Sequence, residues 1–201
     1  ISLIYLGLTF LCAIAYWLAG MSGFDAIAHS MTTIATGGYS TTDGSIGSFE
    51  SWQIDLIAIF GMIIGSLPFI LYLKTLQGSY SALFEDSQVQ WFISLVVLIV
   101  LAVTASLWFS SELETIHALR YAAFNVVSII TGTGYATSDY SQWGSFAVPV
   151  FFFIMFIGGC AGSTTCGIKI FRFQVLYAAA RTQLHQLLQP HGVFMPCYNR
   201  R

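Results

Sequence analysis

Two short stretches of glycine and threonine carry the residues best suited to chemistry in this chain. The first is Ala35-Thr36-Gly37-Gly38-Tyr39-Ser40-Thr41-Thr42-Asp43, and the second, 96 residues later, is Thr131-Gly132-Thr133-Gly134-Tyr135-Ala136-Thr137-Ser138-Asp139. What they offer is oxygen. Non-helical backbone carries unpaired carbonyls, and a row of carbonyls replaces the water shell of a dehydrated potassium ion. Glycine reaches the backbone angles that turn carbonyls toward an axis, while threonine hydroxyls add ligands or brace the loop. The expected ion-selectivity filter is Thr36, Gly37, Gly38 and Tyr39 with Gly132, Thr133, Gly134 and Tyr135, with the cation held at Thr36, Gly37, Gly38, Gly132, Thr133 and Gly134. The bland alternative is a surface turn between helices. Two copies in register, each after a helix too short to span, weigh against it.

The flanking elements repeat in the same order. Ile1 to about Ala19 is a charge-free apolar run, long enough for the roughly 30 Å hydrocarbon core, and Gly20 to Gly23 end it. Phe24 to Ala35 predicts a short helix, with Phe24, Ile27, Ala28 and Met31 on one stripe and Asp25 in the first turn, where a carboxylate suits the helix dipole. After the first loop, Trp52 to Leu73 is a second apolar run. Gly65-Ser66-Leu67-Pro68 breaks it, because proline removes a backbone donor. Trp91 to Phe109 is a third span, Glu112 to Ile130 contains a second short helix, and Phe146 to Ile157 opens a fourth span. That span runs into Gly158-Gly159-Cys160-Ala161-Gly162-Ser163-Thr164-Thr165-Cys166-Gly167, and the apolar pattern resumes from Ile168 to Leu188. Gly38, Tyr39, Thr41, Asp43 and Ser45 match Gly134, Tyr135, Thr137, Asp139 and Ser141; one residue further, Gly65-Ser66 fall on Gly162-Ser163.

The expected fold is therefore an all-α membrane protein of two parallel span–pore-helix–span repeats with re-entrant filter loops. Residues 1–76 form the first repeat (span, pore helix, filter loop, broken span) and 77–90 a cytoplasmic connector. Residues 91–189 form the second repeat, with a special loop at 158–167, and 190–201 a cytoplasmic tail.

Composition sets the solvent. Apolar residues make up 56% of the chain and charged ones 8%, against about a quarter charged in soluble domains. The polar surface needed to stay in water is missing, and a net charge of −2 gives nucleic acid nothing to bind. Membrane lipid is the first expected partner. Cys12, Cys160, Cys166 and Cys197 have neither metal-site nor disulfide spacing and read as small packing residues. No cofactor is expected beyond K+ as the transported ion. Asp25, Asp43, Glu50, Asp55, Glu112, Glu114 and Asp139 lie on the loop side with a single base, Arg120; Lys74, Lys169, Arg172, Arg181, Arg200 and Arg201 lie on the other. Basic residues mark the cytoplasmic face, so the glycine loops face outward, where acidic groups concentrate cations. The chain starts at Ile1 rather than methionine and ends at Asn199-Arg200-Arg201 with no closing signal, which reads as a piece of a longer protein.

The run from Gly158 to Gly167 has two readings on residue chemistry alone. Unwound near mid-membrane, it would sit below a filter, obstruct the pore and move. Left helical, its small residues would serve close helix packing. Lys169 and Arg172 read as anchors that snorkel to the cytoplasmic surface. His29 reads as a helix-surface residue, and His185 and His191 as cytoplasmic.

At Thr36-Gly37-Gly38-Tyr39-Ser40-Thr41, Gly132-Thr133-Gly134-Tyr135-Ala136-Thr137 and, above all, Phe156-Ile157-Gly158-Gly159-Cys160-Ala161-Gly162-Ser163-Thr164, the chain resembles the Trk/Ktr/HKT superfamily of potassium transporters, specifically the bacterial TrkH-type membrane subunit. The resemblance covers essentially the whole chain and is to the second and third of that family's four repeats. It implies a pseudo-fourfold pore with one filter glycine per repeat, here Gly38 and Gly134. It also implies a gating loop made of Gly158, Gly159, Cys160, Ala161, Gly162, Ser163, Thr164 and Gly167. A homodimer in the bacterial inner (plasma) membrane and a cytoplasmic nucleotide-binding TrkA-type regulatory subunit complete the implied system. Thr165-Cys166-Gly167 departs from the family's further glycine-rich run, and the tail from Phe194 matches nothing in the family.

Gated potassium uptake without bond chemistry is thus the leading expectation, and the chain is expected not to be an enzyme. Two alternatives stand beside it. One is an incomplete, non-conducting piece or assembly subunit, since two of four filter loops do not enclose a pore. The other is an intramembrane serine hydrolase pairing Ser163 with His117, which requires both at one depth and within hydrogen-bond reach.

Overall fold

The computed structural model describes residues 1–110, 115–189 and 192. Among these the chain is helical. Helices α1 (Ser2–Leu18), α2 (Gly23–Ile34), α3 (Trp52–Ser66) and α4 (Phe69–Leu76) make the first half. A single turn, α5 (Ala82–Glu85), leads to α6 (Ser87–Ser110), α7 (Thr115–Ile130), α8 (Ala147–Ile154) and α9 (Ile170–Leu188). Glu112, Glu114, Pro190, His191 and the tail from Phe194, with Cys197, Arg200 and Arg201, lie outside the described residues.

Helix α6 is long and apolar enough to cross a membrane, and α3 with α4 passes the same test as one run bent by 91°. The bend falls at Leu67-Pro68, where proline has no N–H for the helix ladder and Leu67 and Pro68 are extended. Helix α6 starts at Ser87, a turn before the expected Trp91, because the Asp86 carboxylate accepts from the Gln88 and Val89 amides and caps the helix early.

The interior mixes an apolar core with many polar groups, and the surface is apolar. His29, Ser30, Thr33, Thr36, Asp55, Ser66, Asn125, Ser128, Thr131 and Thr133 are buried, while Leu3, Phe10, Trp17, Leu98, Leu101, Phe109, Phe152 and Phe153 are exposed. In a medium without water, polar groups gather inside where they find partners and apolar side chains face out. The stripe on α2 obeys the same rule: Phe24, Ile27 and Met31 are exposed and His29 is fully buried. The reading of His29 as a surface residue is therefore wrong. The face opposite the apolar stripe is the packed one.

Helix α1 packs on α2, and α6 on α7, while α3 crosses to α7 and joins the halves. At that crossing Arg120 Nε donates to Asp55 Oδ2 at 2.7 Å, with the Asp55 side chain 3% exposed. The sequence placed both among the charges of the outer mouth. They form instead an ion pair, its carboxylate buried and its guanidinium half-buried, that holds the second short helix against the first half.

Candidate functional site

The site is built by two short helices and the loops that follow them. Ser22 caps α2, accepting from the Asp25 amide at 3.1 Å and donating to the Asp25 carboxylate at 2.7 Å, one oxygen serving a free N–H as caps do. Twelve residues of helix carry the chain about 18 Å inward. It then turns at Ala35–Gly38 and climbs back along the same helix. Thr32 Oγ1 donates to the Tyr39 carbonyl at 2.9 Å, the His29 Nε2 lies 3.0 Å from Ser40 Oγ, and Thr41 Oγ1 donates to Asp25 Oδ1 at 2.6 Å. The contacts step from the last turn of α2 to its first, so the segment enters and leaves at one end.

Ser22 first, and then Thr41, hold the Asp25 carboxyl below its ordinary range. The folded state thus favours the carboxylate. Its contribution to stability is full above the unfolded value of about 3.9 and is lost as pH falls through the lower folded value. A thermal-unfolding series should show this part of the pH dependence only below about pH 4, and Asp25→Asn should remove it. An unchanged acid limb in Asp25→Asn would show that the tie at Thr41 carries no stability.

The second loop repeats the turn of the first. Gly37 and Gly38 donate to the Thr32 carbonyl at 2.7 and 3.5 Å; Thr133 and Gly134 donate to the Ser128 carbonyl at 2.9 and 3.2 Å. Thr32 Oγ1 reaches the Tyr39 carbonyl, and Ser128 Oγ reaches the Tyr135 carbonyl at 2.6 Å. Even the backbone signs match. Thr36 and Gly132 have φ of 51° and 71°, and Gly38 and Gly134 have 69° and 85°. A left-handed threonine costs roughly 1–2 kcal/mol, and it is held here by the same turn that its glycine counterpart adopts freely.

The loops touch. A Cβ on Gly38 would lie 1.8 Å from the Thr133 carbonyl oxygen. Gly47 N donates to the Ala136 carbonyl at 3.1 Å, and Ala136 N donates to Ser45 Oγ at 3.3 Å. The two tyrosines differ sharply. Tyr135 is buried, its hydroxyl 2.5 Å from Thr32 Oγ1, whereas Tyr39 is 79% exposed. On the far side of the second loop a cavity of about 350 Å³ is lined by Ile129, Gly132, Gly134, Ser141 and Phe151.

Below the loops the chain from Gly158 to Gly167 is unwound, not helical. Its neck is closed by Gly158 N donating to the Ile168 carbonyl and Ile168 N donating to the Phe156 carbonyl, both at 2.9 Å. A Cβ on Gly158 would meet the Cys166 carbonyl at 2.0 Å, so only glycine fits there. Thr164 Oγ1 lies 3.0 Å from the Ile34 carbonyl, at the end of α2, and 2.9 Å from the Gly65 carbonyl; Thr36 Oγ1 donates to it at 3.4 Å. Cys160 N donates to the Ser66 carbonyl at 3.0 Å, and Phe69 N donates to the Gly162 carbonyl at 3.1 Å. The break at Gly65–Pro68 frees backbone groups that this loop then satisfies, and the loop sits directly against the first glycine loop.

Lys169 turns into this loop. Its Nζ donates to Thr165 Oγ1 at 2.9 Å, to Ser163 Oγ at 3.3 Å and, more closely, to the Thr165 carbonyl. Snorkelling fits Arg172, which is exposed, but not Lys169, because three loop oxygens outbid the surface for its ammonium. Ser163 Oγ donates to the Cys160 carbonyl at 2.6 Å, and His117 sits exposed at the opposite, entry end of α7. The structure does not bring the serine–histidine pair together.

Cys12 and Cys160 are buried, but Cys166 is exposed, and its Cβ lies 3.3 Å from where a Gly132 side chain would begin. Packing is therefore the wrong reading for Cys166. In a Cys197→Ser background a small cationic methanethiosulfonate should label one thiol, Cys166. Labelling of Cys12 or Cys160 at the same rate would contradict the packing described.

The comparisons with known proteins agree with this architecture. Residues 1–196 match the family model "TrkH: Cation transport protein". The Trk system potassium uptake protein TrkI of Halomonas elongata is 46% identical over 200 residues, covering 98% of this chain and 40% of that protein. TrkH of Escherichia coli K12 is 40% identical over 197 residues, covering 96% of this chain and 40% of its own length. The crystal structure of the potassium transporter TrkH from Vibrio parahaemolyticus superposes with a TM-score of 0.90 at 38% identity, over 96% of this chain and 42% of that one. The chain thus spans about two fifths of the length of these relatives. An all-α membrane protein with these loops and this match along nearly its whole length belongs to the TrkH cation transport family.

Proposed function

We propose that this chain supplies two filter loops and the gate of a potassium uptake pore. Thr36–Tyr39 and Gly132–Tyr135 form the ion path, with K+ held by oxygens of Thr36, Gly37, Gly38, Gly132, Thr133 and Gly134. The observation that carries the reading is the paired geometry: two loops with the same hydrogen bonds and the same left-handed positions, in contact with each other. Each lies at the C-terminal end of a short helix, where the dipole is negative and favours a cation. The names of the relatives, all Trk system potassium uptake proteins, supply the ion. The remaining loops come from the longer polypeptide typical of these relatives. Residues 1–76 and 91–189 act as the two repeats, joined by 77–90.

The unwound run 158–167 is the gate. Its ties to the Ile34 and Gly65 carbonyls hold it under the first loop, and Lys169 holds it closed. A cytoplasmic nucleotide-binding TrkA-type subunit opens it, the assembly is a homodimer, and it resides in the bacterial inner membrane as a multi-pass protein. Lys169→Met removes a charged donor, each of whose hydrogen bonds is worth roughly 1.5–3 kcal/mol. It should raise regulator-free K+ flux by about tenfold, and equal or lower flux would show that Lys169 does not hold the gate.

The test is reconstitution of the full-length transporter carrying this segment in liposomes. Potassium and rubidium should pass. Gly134→Ser, whose added side chain meets nothing within 4 Å, should lower K+ over Na+ selectivity, and unchanged selectivity would end the filter assignment.

A further inference from the structure

Five oxygen-bearing groups form a continuous chain that starts in the buried interior, crosses the contact between the two halves and ends on the first glycine loop. Tyr16 Oη, on α1, is 2.9 Å from Thr33 Oγ1 on α2. Thr33 Oγ1 donates to Tyr135 Oη at 3.4 Å, so Tyr16 is the donor at the first link. Tyr135 Oη is 2.5 Å from Thr32 Oγ1. Thr32 Oγ1 has three carbonyls in reach: Ala28 at 3.2 Å, His29 at 3.3 Å and Tyr39 at 2.9 Å. With its proton on the nearest, Tyr39, it accepts from Tyr135. Tyr135 Oη also lies 3.2 Å from the His29 carbonyl, a weaker second acceptor. Tyr16, Thr33 and Tyr135 are at most 1% exposed.

The order along this chain is a span, the first short helix, the second glycine loop, the first short helix again, and then the carbonyl of the first glycine loop. Every hydroxyl donates in the same direction and every link ends on an acceptor. Such chains polarise one another and hold geometry more firmly than separate bonds. The last carbonyl belongs to Tyr39, the residue after Gly38.

We infer that the Tyr16–Thr33–Tyr135–Thr32 hydroxyl chain is a positioning element for ion selectivity, fixing the distance between the two loops by tying the phenol of one to a carbonyl of the other. The inference rests on the filter reading. Discrimination between K+ and Na+ depends on the placement or field of the coordinating oxygens, and a loop free to shift by tenths of an ångström fits a smaller ion as well. None of the four side chains touches the ion. They act through the Tyr39 carbonyl and the loop carrying Thr133 and Gly134.

The test uses the full-length transporter in liposomes, with K+ and Na+ fluxes measured on the same preparation and thermal unfolding measured alongside. Tyr135→Phe keeps the ring in its pocket and removes the hydroxyl. It should lower the K+/Na+ permeability ratio by about fivefold, the worth of one net hydrogen bond. Thr32→Val, which deletes the donor to Tyr39 and the acceptor for Tyr135, should lower the ratio at least as far. Thr32→Ser keeps the hydroxyl and should restore it. A purely structural role would lower the unfolding temperature and total flux without moving the ratio, and that result overturns the inference. Where Tyr135→Phe does not reach the membrane, the Thr32→Val and Thr32→Ser pair decides by the same criterion. The two readings fail separately. If Gly134→Ser lowers selectivity while Tyr135→Phe and Thr32→Val do not, the filter stands and the hydroxyl chain falls. If all three leave it unchanged, both fall.

Discussion

Gly38→Ala is expected to abolish potassium uptake and to destabilise the protein, while Gly134→Ala, at the matching position, is expected to be far milder. Both glycines are left-handed, so an alanine at either costs roughly 1–2 kcal/mol of backbone strain. The surroundings separate them. At Gly38 the new methyl would lie 1.8 Å from the Thr133 carbonyl oxygen and 2.8 Å from its carbon, whereas at Gly134 it meets nothing within 4 Å. Backbone does not swing aside as a side chain does, so accommodating Gly38→Ala requires the two loops to part. The Tyr135 and Thr32 contacts, which hold the same interface, would part with them. Thermal unfolding and flux of the two variants in one background check this. Equal behaviour would mean that the loops are not in contact in the working protein.

The second large effect is expected at the pair between the halves. Asp55 is buried, and Arg120 is the only base facing it among the described residues. Asp55→Ala leaves a guanidinium without its carboxylate in a setting with little water. Breaking a buried pair in this way costs about 3–5 kcal/mol, whereas replacing both partners by apolar residues of similar size is often neutral. Asp55→Leu with Arg120→Met should therefore recover most of the stability that either single change removes. A double variant no more stable than Asp55→Ala would show that the charges, rather than the packing of α3 on α7, are what the fold requires.

Much of the helical order was legible because it depends on local signals. Pro68 marks the bend between α3 and α4, Ser22 and Asp25 mark the start of α2, and the glycines mark both loops. The unwound run was visible as a cluster of small residues, although sequence could not choose between a loop and a tight helix. The deciding interactions are with the Gly65 and Ser66 carbonyls, roughly a hundred residues away. What was not legible is nonlocal in the same sense. Asp55 and Arg120 each look like a mouth charge until α3 crosses α7. Tyr39 and Tyr135 follow the same glycine in near-identical stretches, yet one is exposed and the other buried, because only the second has a neighbouring helix to enter. His29 was misplaced for another reason. An apolar stripe points to the core of a protein in water, and here it points away. The apolar surface gives the missing signal: on a short helix such as α2, with one polar and one apolar face, the polar face is the one to assign to the interior.

The contact between the two halves is directional. The second half offers a tyrosine, a carbonyl and an arginine; the first receives them at Thr33, Gly38 and Asp55. The residues 96 positions after those three, Ile129, Gly134 and Phe151, line the open cavity, while Tyr39 protrudes from the opposite edge. Like a key and a lock cut on opposite sides of one block, the edges are complementary rather than self-matching. A face of this kind cannot pair with its own copy about a twofold axis. A further block of this build would therefore dock head to tail, its offering edge set against the open edge that Ile129, Gly134 and Phe151 line.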